Sequence, residues 1–407
     1  MSDVSASAGP RADTRPPTIA SSGLRSTAVL ALGTFAVGTD AFVVAGFLPA
    51  MSASLGVSAA TAGQSVTVFA LSYAVLAPVV STLAARVPRR LLLVTALLVL
   101  AAANLGSALA PTLPVLLATR VLAAAGAAGY TPNAGAVSAA LVRPEQRGRA
   151  LAVVIGGLTV ATALGVPLGT LLNQITDWRT VLAAVALLCL LVAAGVRLVM
   201  PALPGAPRTP FRQRLAVLRR PAVLGVLPLT TLGMASCYTI YAYSIPALQA
   251  AGSPVGWAGL MLFLYGAGAV AGNLYAGYAI DRWGPVPLLT GAYVLMAVVL
   301  AAGGALALAG SRLPLVVAAI AFGWGASSWS QTPAQQHRLI AAAPGEAPLV
   351  VSLNSSGIYL GIALGTAVGG AAYATGFPAM YATGAAGAVI ALLFLVLTAR
   401  RTATGKA

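Results

Sequence analysis

The sequence predicts an all-α integral membrane protein with twelve transmembrane helices in two pseudo-symmetric six-helix bundles, and three observations carry that prediction. The chain is 59% hydrophobic and only 7% charged, whereas soluble domains usually carry about 25% charged residues. Cutting it at its clusters of charge, Pro and Gly leaves twelve mostly apolar runs. Each is near the roughly 20 residues that cross a hydrocarbon core about 30 Å thick. A stripe of small residues in the fifth run returns in the eleventh at an offset of 200 residues.

The runs cover residues 27 to 49, 61 to 84, 90 to 110, 113 to 136, 148 to 172 and 179 to 200, then 221 to 248, 257 to 279, 286 to 309, 313 to 335, 347 to 371 and 376 to 399. Residues 1 to 26 are polar and rich in Pro, Ser and Ala, the composition of a disordered tail. The run after it is too long and too clean for a cleaved signal peptide. The expected organisation is therefore an N-terminal bundle over 27–200, a linker over 201–220, a C-terminal bundle over 221–399 and a short tail over 400–407.

A formal charge of +16 would suit a nucleic-acid binder, but the basic residues are sorted by topology rather than gathered in a patch. Of 23, 20 lie in the tails, the linker and the loops after even-numbered spans; only Arg120, Arg179 and Arg312 lie on the other side. Loops that retain Lys and Arg stay in the cytoplasm. Both termini are thus expected inside a bacterial inner membrane, with no nucleic-acid partner. Cys189 and Cys237 fall within spans and read as packing residues, without metal-ligand or disulfide spacing.

The repeated stripe consists of Gly157, Ala161, Gly165 and Gly169, matched by Gly357, Gly361, Gly365 and Gly369. Residues four apart share a helix face, and small ones let another helix approach closely. Tight packing alone explains such a stripe; its recurrence at a fixed offset makes it architectural. A second correspondence links the loops STLAARVPRR (81–90) and GYAIDRWGPV (277–286). The latter spells G-x-x-x-D-R-x-G with Gly277, Asp281, Arg282 and Gly284, while the former keeps Arg86 and has Ser81, Ala85 and Pro88 at the other places.

Asp40 stands about 20 Å along the first run at ~1.5 Å per residue, near the membrane midplane. An Asp near a helix centre costs roughly 2.5–3.5 kcal/mol on insertion scales. Two compensations are open: a cation partner, or uptake of a proton because burial disfavours the charged form. Arg120 is the one basic residue clearly inside a span on the non-cytoplasmic side, at similar depth. Asp40 is accordingly the expected protonation site, with Arg120 as its modulator or a substrate-contacting cation. A permanently paired packing residue is the alternative.

Asp281 lies in a loop and suits a gate. Pseudo-symmetry would bring it to the start of the fifth helix near Arg147, Gly148 and Arg149, where cations and the positive end of a helix dipole await it. The gating set comprises Asp281, Arg282, Gly277, Gly284, Arg86, Gly157, Gly165 and Gly169. Tyr238 and Tyr241 of the seventh span, Trp324 and Gln331 of the tenth, and the single amides Asn133, Asn273 and Asn354 are candidates for substrate contact. Lone amides serve interhelical hydrogen bonds equally well. Few fixed charges and many aromatics suit an amphipathic, neutral or weakly charged organic molecule.

Twelve spans, the loop motif and the segments GTDAFVVAGFLP (38–49), AGQSVTVFALSYAVLAP (62–78), ATRVLAAAGAAG (118–129) and ALGVPLG (163–169) resemble the major facilitator superfamily. Within it the chain is similar to the drug/proton antiporters, in the branch of bacterial chloramphenicol, purine and sugar efflux proteins. The resemblance implies a monomeric, cofactor-free exporter of a small molecule in exchange for protons. Proton symport for uptake is the nearest rival, because only the resemblance sets the direction. There are departures: Val166 separates Gly165 from Pro167, and Ala123 stands where the family has Gln. An enzyme is disfavoured by a single His, His337, and by the lack of metal-ligand, nucleophile–base or phosphate-loop patterns.

Overall fold

The computed structural model describes residues 19–143, 146–205, 217, 220–343 and 347–404. The expected tail over 1–18, linker residues 206–216 and 218–219, and the end at 405–407 lie outside the described residues. Among the described residues every regular element is helical. Residues 19–26 correct the expected tail, because they open the first helix, Ile19–Phe42. Past Pro16 and Pro17 nothing interrupts helix propagation, which adds a hydrogen bond for each residue fixed.

The first span continues through a 3-10 turn, Val43–Gly46, into Leu48–Leu55. The second to fourth spans are Ala59–Leu83, Arg89–Ala108 and Leu113–Ala140. The fifth is Arg147–Val160, a π-turn over Ala161–Gly165, and Val166–Ile175. The sixth is Trp178–Val199. Its N-cap Asp177 accepts from the Thr180 amide at 2.7 Å, a hydrogen bond that holds this exposed carboxyl below the usual carboxylate range. The seventh span comprises Pro221–Leu224, Leu227–Tyr241 and Ser244–Ala250. Ala258–Trp283, Pro285–Ala309, Pro314–Ala342, Ala347–Tyr373 and Phe377–Thr404 follow.

Eleven of these spans are long and apolar enough to cross a membrane, among the described residues. The other is the tenth, Pro314–Ala342: its 29 residues suffice in length, but its Ser and Gln residues dilute its hydropathy. Its polar side chains are turned inward, with Ser327, Ser328, Ser330, Gln331 and Gln335 all buried. Polar residues at membrane depth are tolerated where they face protein.

The small-residue stripes explain how each half is built. A Cβ on Gly157 would overlap Thr34 and the Ala31 carbonyl, one on Gly165 would overlap Thr39, and one on Gly169 would overlap Val43, so the fifth span lies directly on the first. In the second half Gly361, Gly365 and Gly369 press on Thr231, Ala235 and Thr239, so the eleventh lies on the seventh. The expected gating glycines Gly157, Gly165 and Gly169 thus pack inside one half. The π-turn accommodates Pro167, which lacks an N–H and would clash with the carbonyl four residues back in a regular helix; Val166 N–H reaches Ala161 instead.

Both halves break their leading helix at equivalent places, after Phe42 and after Tyr241. With twelve crossings, the start of the first span, the end of the sixth, the start of the seventh and the end of the twelfth share one face of the bundle, termed here the terminal side. The halves meet from the middle to the far side. Gly63 abuts the Tyr243 hydroxyl, Gly259 packs on Leu171, and Gly266 sits against the backbone of Thr162 and Ala163 at the π-turn.

Candidate functional site

The first helix ends two residues beyond Asp40, and the last carbonyls of a helix lack intrahelical partners. Arg120, from the fourth span, exploits both features. Its Nη1 donates to Asp40 Oδ1 at 2.6 Å and its Nη2 to the Asp40 backbone carbonyl at 3.3 Å. Asp40 is 0% and Arg120 1% exposed. The pair is monodentate: Asp40 Oδ2 and Arg120 Nε are buried without hydrogen-bond partners. Cys189 of the sixth span is buried within electrostatic range of Asp40. The structure therefore brings together the two residues singled out for proton coupling.

Arg120 carries its charge on to a ring system that crosses between the halves. Its Cζ lies 4.4 Å from the centroid of Phe69. Phe69 meets Tyr359 edge-on at 6.1 Å, and Tyr73, one turn along from Phe69, stacks on Tyr359 at 3.7 Å. Phe69 and Tyr73 belong to the second span, Tyr359 to the eleventh. Tyr359 lies close enough to feel the charges of both Asp40 and Arg120.

A second aromatic cluster starts from Phe42, at the break of the first helix. Phe42 contacts Trp329 at 5.9 Å and Tyr238 and Tyr241 at 6.4 Å each. Tyr241 packs on Tyr265 at 4.9 Å, and Tyr265 on Trp324 at 4.7 Å. Ser328 Oγ donates to Cys237 Sγ at 3.0 Å beneath these rings, and the Tyr241 hydroxyl is buried without a partner. Tyr238, Tyr241 and Trp324 thus share one site, at the junction of the halves.

The remaining candidates do not join it. Asn133 accepts from Arg89 at 2.8 Å and donates to the Gly129 carbonyl, linking the third and fourth spans. Asn354 accepts from Thr230 at 2.9 Å, linking the seventh and eleventh. Gln331 donates to the Ser327 carbonyl and lies against Gly233, inside the second half. Asn273 is half-buried on the eighth span.

At the terminal side Asp281 and Arg282 are exposed, and Asp281 forms no ion pair with Arg147 or Arg149. The anticipated gate contact is therefore not made in this structure. Gly284 adopts φ 83°, the region that favours glycine, and so lets the eighth helix turn straight into the ninth. Gly277 has no heavy atom within 4 Å of a notional Cβ. On the far side the breaks in the first and seventh spans border a cleft of about 200 Å³, lined by Gly46, Phe47, Thr170, Asn173, Ile245 and Gln249.

Phe42, Phe69, Tyr73, Tyr265, Trp329 and Tyr359 are site residues that sequence reasoning missed. The four-residue spacing of Phe69 and Tyr73 marks one helix face, but an aromatic pair at that spacing ordinarily reads as core. Tyr359 has no such signal, since its partners are more than 280 residues away in the chain.

The family model described as Major Facilitator Superfamily matches residues 30–257 and 229–407. The chain is 36% identical over 347 residues to a chloramphenicol resistance protein of Streptomyces lividans, covering 84% of this chain and 87% of that one. It is 32% identical over 378 residues to the inner membrane transport protein YdhP of Escherichia coli (strain K12), covering 91% and 95%. Among solved structures, a D-xylose-proton symporter superposes with a TM-score of 0.75 at 17% identity, over 91% of this chain and 97% of that one. With twelve spans, two matching halves and these relatives, the chain belongs to the major facilitator superfamily of membrane transporters.

Proposed function

We propose that this transporter exports a small, neutral, amphipathic organic molecule in exchange for protons, by alternating access, across a bacterial inner membrane with both termini in the cytoplasm. One observation carries the reading. Among the described residues Asp40 is the only acid that lies well inside a spanning helix, and it is fully buried with one carboxylate oxygen free to take a proton. A buried polar atom without a partner calls for an explanation, and reversible protonation supplies one.

Arg120 holds the ionised carboxylate when no proton is bound. When the proton arrives, the salt bridge weakens and the guanidinium is released. The aromatic cluster around Tyr238, Tyr241 and Trp324 suits an uncharged ring-bearing substrate, and the name of the Streptomyces relative points to chloramphenicol as a first probe. Contacts concentrated at the middle and far side, with Asp281 unlatched at the terminal side, fit a carrier open toward the terminal face. Asp281 meeting Arg147 and Arg149 would then mark the opposite state. The same fold serves a D-xylose-proton symporter, so direction rests on the sequence relatives rather than on the architecture.

The test uses everted membrane vesicles energised by respiration, with labelled chloramphenicol and a panel of neutral, cationic and polyanionic compounds. A neutral compound is expected to accumulate, and a protonophore to abolish the accumulation. Asp40→Asn is expected to fall to the level of vesicles lacking the protein. Undiminished proton-driven accumulation by Asp40→Asn would sink the coupling role, and preferential transport of a polyanion would overturn the substrate class.

A further inference from the structure

The proton site lies wholly in the first half, yet alternating access requires the second half to respond to it. One chain of ring contacts runs from the ion pair to the second half. Asp40 is bonded to Arg120 from the fourth span, and the Cys189 thiol of the sixth and Tyr359 of the eleventh lie within electrostatic range of it. Of these only Tyr359 belongs to the second half. Between it and the ion pair stands Phe69, with Arg120 over its face at 4.4 Å and Tyr359 at its edge at 6.1 Å. Tyr73 stacks on Tyr359 at 3.7 Å and completes the bridge. Asp40, Arg120, Phe69, Tyr73 and Tyr359 are all at least nine-tenths buried.

We propose that Tyr359 is the positioning residue through which the second half reads the protonation state of Asp40, with Phe69 and Tyr73 as its contacts in the first half. The proposal rests on Asp40 being the proton site. When Asp40 is ionised, Arg120 is shared between the carboxylate and the Phe69 ring. A proton from water binding at Oδ2 removes the negative charge, and the guanidinium is left in a dry site. The rings are then its nearest source of compensation, because aromatic faces attract cations most strongly where water is absent. Arg120 shifts toward Phe69 and disturbs the Tyr73–Tyr359 stack, a direct contact between the halves. Loss of the proton to the other side restores the ion pair and the stack.

The experiment measures distances between spin labels placed on the terminal-side ends of the two halves, in full-length protein in lipid nanodiscs, as a function of pH and without substrate. In the parent the distance distribution is expected to shift with pH, and in Asp40→Asn to lose that shift. Tyr359→Leu is expected to lose it as well, and Tyr359→Phe, which keeps the ring, to retain it. A parent that does not respond to pH overturns the proton reading and this inference together. A responsive parent, an unresponsive Asp40→Asn and a normally responsive Tyr359→Leu overturn only the role of Tyr359. Should Tyr359→Leu fail to fold, Tyr73→Leu tests the same stack from the other half: loss of the shift supports the proposal and a preserved shift overturns it.

Discussion

Replacing Arg120 with Leu lowers the stability of the protein by about 3–5 kcal/mol, the range for breaking a buried ion pair by removing one partner. The Asp40 carboxylate would be left fully buried, with neither oxygen nor its backbone carbonyl receiving the bonds Arg120 now makes. Replacing both partners with apolar residues recovers most of the loss, since isosteric removal of a buried pair is often neutral. Thermal unfolding in detergent, scored by loss of monodisperse protein, reads the whole cycle. The double variant Asp40→Leu/Arg120→Leu should be nearly as stable as the parent and inactive in proton-driven transport. A double variant as unstable as Arg120→Leu alone would mean that the site depends on these side chains for packing rather than for charge. That contrast separates a functional pair from a structural one, because only a functional pair is dispensable for folding.

Gly325→Val is expected to remove most folded protein from the membrane. A Cβ at Gly325 would overlap the Tyr265 carbonyl, and those on Gly268 and Gly272 would overlap the backbone at Phe322 and Ala326. The eighth and tenth spans thus meet backbone to backbone at three glycines, within about two turns of the eighth. Overpacking ordinarily costs about 1–3 kcal/mol, and here the obstacle is main chain, which cannot rotate aside. Displacing the tenth span would also move Trp324 away from Tyr265, at 4.7 Å in the site. Gly291→Ala is the control: nothing lies within 4 Å of its Cβ, and Ala is favoured over Gly inside a helix by up to about 1 kcal/mol. Folded yield measured by fluorescence-detected size exclusion should fall for the first and hold or rise for the second. Equal yields for the two would show that the close approach at Gly325 is not needed.

Several site features were legible because they are local. Asp40 stands out in any apolar run, and Arg120 is the one cation at matching depth, so their pairing was within reach from the chain alone. The glycine stripes announced the internal repeat, although not which helices they serve; they seat the first and seventh spans within the halves. The single amides illustrate the opposite limit. Asn133 and Asn354 look alike in sequence, yet one is engaged by Arg89 and the other by Thr230, partners supplied by neighbouring helices. The helix breaks after Phe42 and Tyr241 went unread, although Pro49 and Pro246 stand in the first turn of the helices that resume, where a proline lacks the N–H needed to carry the preceding helix through.

By itself, the sequence determined that the chain lies in a membrane, that it is a duplicated bundle and that one acid sits where acids are expensive. Each follows from composition, periodicity or the cost of dehydrating a charge, and none needs a neighbour. The tertiary structure alone decided that Asp40 keeps one oxygen free, that Tyr73 stacks on Tyr359, and that Asp281 stands apart from Arg147 and Arg149. Those facts depend on how twelve nearly featureless apolar cylinders rotate against one another. In a bilayer no difference in hydrophobicity fixes that rotation, so small residues and a few polar contacts spread across the whole chain must set it.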